Sequence, residues 1–148
     1  MKFKLIQVFV VVCWSLSQSA WAGDNPLFPL IQGAYSKFAT PSGTYDEYSL
    51  VVGEENFFGQ DVWVVKYEYQ TGIPGPQYDF FSVADDGDVL HHGSRYTESG
   101  SLIENVLDPP VRMIDEPVFS GKSWTDQSTF TKYVDGSADL VQSNYQQY

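Results

Sequence analysis

Cysteine is all but missing from this chain, histidine occurs twice, and eight basic residues stand against nineteen acidic ones. Each shortage removes a class of chemistry. The one cysteine, Cys13, lies in the N-terminal apolar run, so the rest of the chain has no disulfide, thiolate nucleophile or cysteine-ligated metal to offer. Scarce lysine and arginine argue against nucleic acid and anionic membrane surfaces as partners, because both need neutralising cations. No segment carries a sustained apolar repeat at helical spacing, and Gly, Pro, Ser and Asp cut the chain into short pieces. That pattern predicts an all-β protein.

The only extended apolar run is N-terminal. "MKFKLIQVFVVVCWSLSQSAWA" places Lys2 and Lys4 before the apolar stretch Leu5 to Leu16 and ends in Ala20-Trp21-Ala22. This is the pattern of a bacterial secretory signal peptide, and the run is short for a bilayer span. Cys13 lies inside the run behind Val12, where a lipoprotein signal wants a small residue. Cleavage before Gly23 is therefore expected, giving an exported protein, periplasmic or extracellular, with no stable membrane insertion. Residues 23–148 then hold six basic and nineteen acidic side chains, a net charge of −13, and twenty aromatics, enough bulk for the core of one β-rich domain.

What remains reads as about eight strands joined mostly by short turns, hence a mainly antiparallel curved sheet, open barrel or sandwich. "DVWVVKYEYQ", 61 to 70, is the clearest strand: Trp63, Val65, Tyr67 and Tyr69 alternate with Val62, Val64, Lys66 and Glu68, suggesting an aromatic-rich inner face and a partly charged outer one. "GEENFFGQ" reads as a connection, "TGIPGPQ" as a loop, and Pro109-Pro110 as the end of the strand "LIENVL" before a separate short strand "VRMID". Asp135-Gly136 marks a hairpin turn. A short helical turn near Leu27 to Gln32 is compatible with the pattern.

A weak repeat underlies these pieces. "FPLIQGAYS", 28 to 36, parallels "EPVFSGKSWT", 116 to 125: Pro29 and Pro117 each precede two apolar residues, a polar one and a glycine, with Tyr35 or Trp124 soon after. Were the units equivalent, the second would be cut short at Tyr148, and strands matching those of the first would be C-terminally missing. The order FPLxxGxxY, DDGxVLxxG, PP and EPVFSGKSW resembles a group of uncharacterised bacterial exported, lipoprotein-like β-sheet proteins over roughly Phe28 to Trp124. That resemblance implies export and a β-sheet fold, and it brings no catalytic residues with it.

The densest chemistry lies in "DFFSVADDGDVLHHG", 79 to 93. Asp85, Asp86 and Asp88 could give oxygen ligands to calcium, the one cofactor the sequence suggests, but the loop lacks EF-hand spacing, and D-D-G-D also meets the needs of a tight turn with Gly87 at positive φ. His91 and His92 are neighbours, so on a strand they project to opposite faces and do not readily share one zinc. Glu54-Glu55, Glu68, Glu98 and Glu104 are the candidates for a paired-carboxylate hydrolase, with nothing to fix a pair. Trp63, Tyr67, Tyr69, Phe80 and Phe81 could line one concave sheet face as a ligand surface, or simply form the core.

The leading expectation is thus an exported, non-enzymatic envelope or secreted binding module for an apolar ligand, a glycan or another envelope protein. A secreted hydrolase of cell-surface polymers and a calcium-stabilised adhesive module are the alternatives.

Overall fold

In the computed structural model, which describes residues 27–39, 46–69 and 75–147, the chain is a single eight-stranded antiparallel sheet in which every strand pairs with the next in sequence. The strands are β1 (Tyr35–Ala39), β2 (Asp46–Phe57), β3 (Gln60–Tyr69), β4 (Gln77–Val83), β5 (Val89–Glu98), β6 (Ser101–Ile114), β7 (Asp126–Val134) and β8 (Ser137–Gln147). The sheet is curved and is not closed into a barrel. The expected signal peptide and Cys13 lie outside the described residues, as does most of the 71–77 loop.

Three of the hairpins use the same two-residue turn. Phe58-Gly59, Ser99-Gly100 and Asp135-Gly136 all hold positive φ at both positions, 49° and 85°, 52° and 90°, and 48° and 79°. Registers Phe57↔Gln60, Glu98↔Ser101 and Val134↔Ser137 close directly around them. This mirror-type turn matches the strand twist, and glycine at its second position costs nothing sterically. Asp135-Gly136 was legible in advance. "GEENFFGQ", by contrast, is not a connection: β2 runs on through Glu54, Glu55 and Phe57, because a bulge between Val51 and Gly53 lets the strand resume its ladder.

Pro109-Pro110 does not end a strand either. β6 continues from Ser101 to Ile114, changing partners on the way. Its first part pairs with both β5 and β7, and after the prolines it pairs with β5 alone, through Val111, Arg112 and Ile114. Prolines cannot donate to a ladder, so they occupy the stretch where β6 leaves β5. Between the pairs His91↔Val111 and Gly93↔Val106, one β5 residue, His92, stands opposite four β6 residues.

Both faces of the sheet carry a core. On one face Val51, Val65, Phe81 and Val89 are buried, with Trp63, Tyr67 and Val83 packed against them. The segment before β1 lies across this face and inserts Leu30, which is 4% exposed. That segment is not helical. It forms a turn closed by Ala34 N–H donating to the Ile31 carbonyl at 2.8 Å, with Gly33 at φ 84°, and Gly33 N–H bonds the Val51 carbonyl at 2.8 Å. The glycine and the pairing with β2 hold these residues in a turn and strand approach where a helix would leave the Val51 carbonyl unpaired.

On the other face Phe57, Val62, Val64 and Phe80 are buried, so β3 is covered on both sides and has no solvated outer face in this half. This second face is the concave one. Phe58, in the β2–β3 turn, lies with its ring centroid 4.9 Å from that of Tyr133 on β7. β3 and β7 are four strand steps apart, roughly 19 Å in a flat sheet. Only strong coiling with this face inward brings the two rings together.

Candidate functional site

The concave face carries a hollow of about 480 Å³, built where the ladder between β5 and β6 opens. Leu107, Asp108 and Pro110 form one wall, Thr129, Thr131 and Tyr133 of β7 continue it, and Phe57, Phe58 and Gln60 from the β2–β3 hairpin close it. His92, the bulge residue, stands in the hollow and shares a 2.7 Å hydrogen bond with Ser82 Oγ through Nε2. Opening the ladder at this point depends on Gly93. A Cβ there would overlap the Asn105 carbonyl oxygen and sit 3.0 Å from its carbon, so β5 and β6 approach more closely than any other residue permits.

The hollow mixes aromatic rings with hydroxyls, an amide, an imidazole and one carboxylate, and neither lysine nor arginine lines it. Burial and the neighbouring His91 push His92 down to about 4, so its ring is uncharged at neutral pH and is a weak base. The Ser82–His92 pair is therefore poorly suited to making a nucleophile, since a base titrating far below the operating pH drives proton abstraction weakly.

Phe58 is the unusual member. It is 48% exposed and held at φ 49°, the left-handed region that side chains beyond glycine, asparagine and aspartate avoid. The first position of such a turn favours Asn, Asp or Gly, and nothing in the hairpin itself calls for a bulky apolar ring. Its contacts are Phe57, at a T-shaped 4.9 Å, and Tyr133 across the hollow.

The candidates read from sequence are divided by the sheet. Trp63, Tyr67 and Phe81 share the convex face, while Phe80 points to the concave face and stacks on Phe57 at 3.9 Å. The five aromatics thus do not line one surface, because Phe80 and Phe81 are consecutive on a strand and must diverge. Tyr69 lies on β3, and its side chain is outside the described residues. Trp63, Tyr67 and Phe81 pack around Leu30 as core, with Phe28 set 4.9 Å from Phe81.

The histidines do diverge. His91 stacks on Phe81 at 5.0 Å on the convex face. Its Nε2 is buried with no hydrogen-bond partner and lies 4.0 Å from Asp79 Oδ2. Burial lowers His91, partly offset by a bond to the Gly93 backbone, and the same burial pushes Asp79 up to about 6 against the stabilising Gln77 amide.

Asp85 and Asp86 are exposed at the β4–β5 turn, while Asp88 is buried and spends its carboxylate on the fold. Its Oδ1 accepts the Glu116 N–H at 2.7 Å, tying this turn to the segment after β6, and Asp86 Oδ1 accepts the Asp88 N–H at 3.3 Å. Gly87 takes φ 95° as turn chemistry requires. Among the described residues no group of three or more His, Cys, Asp or Glu side chains is placed to hold a metal.

The carboxylates meet in one place that spacing did not indicate. Arg95 binds Glu55 through Nη1 and Glu104 through Nε, both at 2.9 Å, with its guanidinium 4.9 Å above the Phe80 ring. The two glutamates thus converge on a cation between them, rather than facing each other as acid and base across a cleft. Glu54 is exposed, Glu68 pairs with Lys66, and Glu98 sits exposed at the end of β5.

The hollow itself was missed in the sequence. Its only local signals are Pro109-Pro110 within an apolar strand and an aromatic before Gly59 at a turn. Against known proteins, no family model, no curated protein and no solved structure matches the chain.

Proposed function

We propose that this protein is an exported, non-enzymatic binding module whose site is the concave hollow beneath Phe58, and that its ligand is a neutral, polyhydroxylated molecule such as a glycan. The observation that carries the reading is Phe58 itself: an exposed aromatic ring kept in a costly backbone conformation at the mouth of a hydrogen-bonding hollow. Rings of this kind stack on the C–H faces of sugars. Asp108 offers an acceptor, and Thr129, Thr131, Tyr133 and Gln60 offer both donors and acceptors, for hydroxyls. Lining without lysine or arginine, on a chain with a net charge of −11, disfavours anions. The signal-like pattern of residues 1–22 supports export, which would agree with a glycan-rich surrounding.

Calorimetry with a panel of neutral oligosaccharides tests this. At least one should bind, and Phe58→Gly, which relieves the turn, should leave the fold intact while weakening binding about tenfold, the worth of one stacked aromatic contact. Binding that survives Phe58→Gly and Thr131→Val unchanged, or a panel that shows no binding at all, defeats the proposal.

A further inference from the structure

We propose that the ligand is a linear neutral polysaccharide, one stretch of which enters the hollow while its further units lie along a row of side chains that crosses the concave face from Tyr133 to Tyr35. The inference rests on the glycan reading above and adds the length and path of the ligand. The registers place the row. Tyr35 stands opposite Leu50, Leu50 opposite Lys66 and Lys66 opposite Tyr78. Tyr78 then stands opposite Arg95, Arg95 opposite Glu104, and Glu104 opposite Tyr133, which lines the hollow. Residues directly opposite one another share a face, so the whole row projects from the concave side of β1 to β7.

The row differs from the one beside it. Val64 and Phe80, two residues away on β3 and β4, are buried, whereas no member of the row is, and Tyr35 and Leu50 are 59% and 38% exposed. A track open to solvent thus runs along the border of the core. Tyrosines occupy β1, β4 and β7, every third strand, and offer rings that stack on sugar faces. Between them Lys66 and Arg95 offer N–H donors without net charge, since Lys66 pairs with Glu68 and Arg95 with Glu55 and Glu104. Arg95 uses Nε and Nη1 in those bonds, and Nη2 takes part in neither. At the far end the Tyr35 ring centroid lies 6.0 Å from that of Tyr48, and the two rings border a cleft of about 90 Å³ with Leu50 and Lys66. Adjacent strands lie about 4.8 Å apart, close to the length one sugar adds to an extended chain, so the six steps of the row take about six units. A monosaccharide would leave the row unused.

Cello-, xylo- and N-acetylchito-oligosaccharides of two to six units, titrated by calorimetry, test the track. In a series that binds, affinity should rise at least tenfold from the shortest member that binds to the six-unit one. Tyr35→Ala should cancel that rise, weakening the six-unit ligand about tenfold and leaving the shortest one unchanged, with an unaltered melting temperature. Tyr35→Phe should restore the rise, and Phe58→Gly should weaken every length. Affinity independent of length, or a six-unit ligand indifferent to Tyr35→Ala, overturns the track, and binding that still depends on Phe58 then leaves the reading of the hollow standing. No binding by any series defeats both.

Discussion

The convex and concave faces of this sheet bury similar residues by opposite means. The convex face is closed by chain: the segment from Phe28 to Ala34 is laid across it, and Leu30 fills the space between Val51, Val65 and Phe81. The concave face is closed by curvature, which brings the β2–β3 turn against β7 and leaves a hollow where β5 and β6 part. The face covered by a segment keeps only a small hollow, about 130 Å³ between Phe28, Pro29, Val51, Val65 and Tyr67. Where only coiling covers it, the face keeps a cavity, because a continuous sheet cannot bend tightly enough to fill its own interior with side chains. The cover is not a general property of the Pro-x-x-x-Gly turn. Phe119 to Lys122 closes the same way as Ile31 to Ala34, at 3.1 Å with Gly121 at φ 86°, yet Val118 is 52% exposed where Leu30 is 4% exposed. Lys122 and Trp124 instead bond the Asp115 and Arg112 carbonyls, holding the second turn beside the β6–β7 connection.

The contrast can be broken at the bulge. Gly93→Ala puts a methyl into the Asn105 carbonyl, with backbone on both sides unable to yield, and should cost about 4 kcal/mol or more or prevent folding, as read by urea denaturation. An alanine variant of wild-type stability would mean that β5 and β6 do not approach this closely.

The cover is tested next. Leu30→Ala should lose about 3 kcal/mol by the same measurement, whereas Val118→Ala, at the matching place in the other turn, should stay within about 0.5 kcal/mol. Equal losses would show that the second turn also covers a core.

A smaller effect separates the faces by pH. Asp79, on the convex side, has a folded value near 6 against 3.8 for the free group, so the folded state holds the proton more tightly. Its contribution makes the protein more stable as pH falls through about 6, and the cost of burying the ionised form persists above that. Asp79→Asn should therefore stabilise the protein by about 2 kcal/mol at pH 8 and have little effect at pH 4. His92, on the concave side, is lowered to about 4, which has the opposite sign: neutral-ring stability is present above 6.5 and is lost as pH falls towards 4. His92→Gln should flatten that acid limb, in thermal melts from pH 7 to 4. Identical pH profiles for wild type and both variants would contradict these environments.

Much of the fold was legible because its signals are local. Alternation in "DVWVVKYEY" made β3 a strand, Asp135-Gly136 closed the last hairpin, and the adjacency of His91 and His92 sent them to opposite faces, each a consequence of backbone geometry within a few residues. The candidate site was far less legible. Glu55 and Glu104 stand 49 positions apart, and no spacing rule links them until β2 and β6 both reach Arg95. Pro109-Pro110 announced an interruption truthfully, but whether the chain ends a strand there or changes partners depends on whether a neighbour waits on the other side.

By itself, then, the sequence determined an antiparallel, all-β chain of about eight strands, the turns at Asp85 to Asp88 and at Asp135-Gly136, and the strong negative charge that any partner must meet. Tertiary structure alone decided which face is concave, that Val62 and Val64 are as buried as the aromatics opposite them, and that Phe58 closes a hollow against Tyr133. The physical reason is that pleat and turn geometry act between neighbours, whereas coiling accumulates a small twist over many strands and brings together residues whose separation along the chain carries no trace of the meeting.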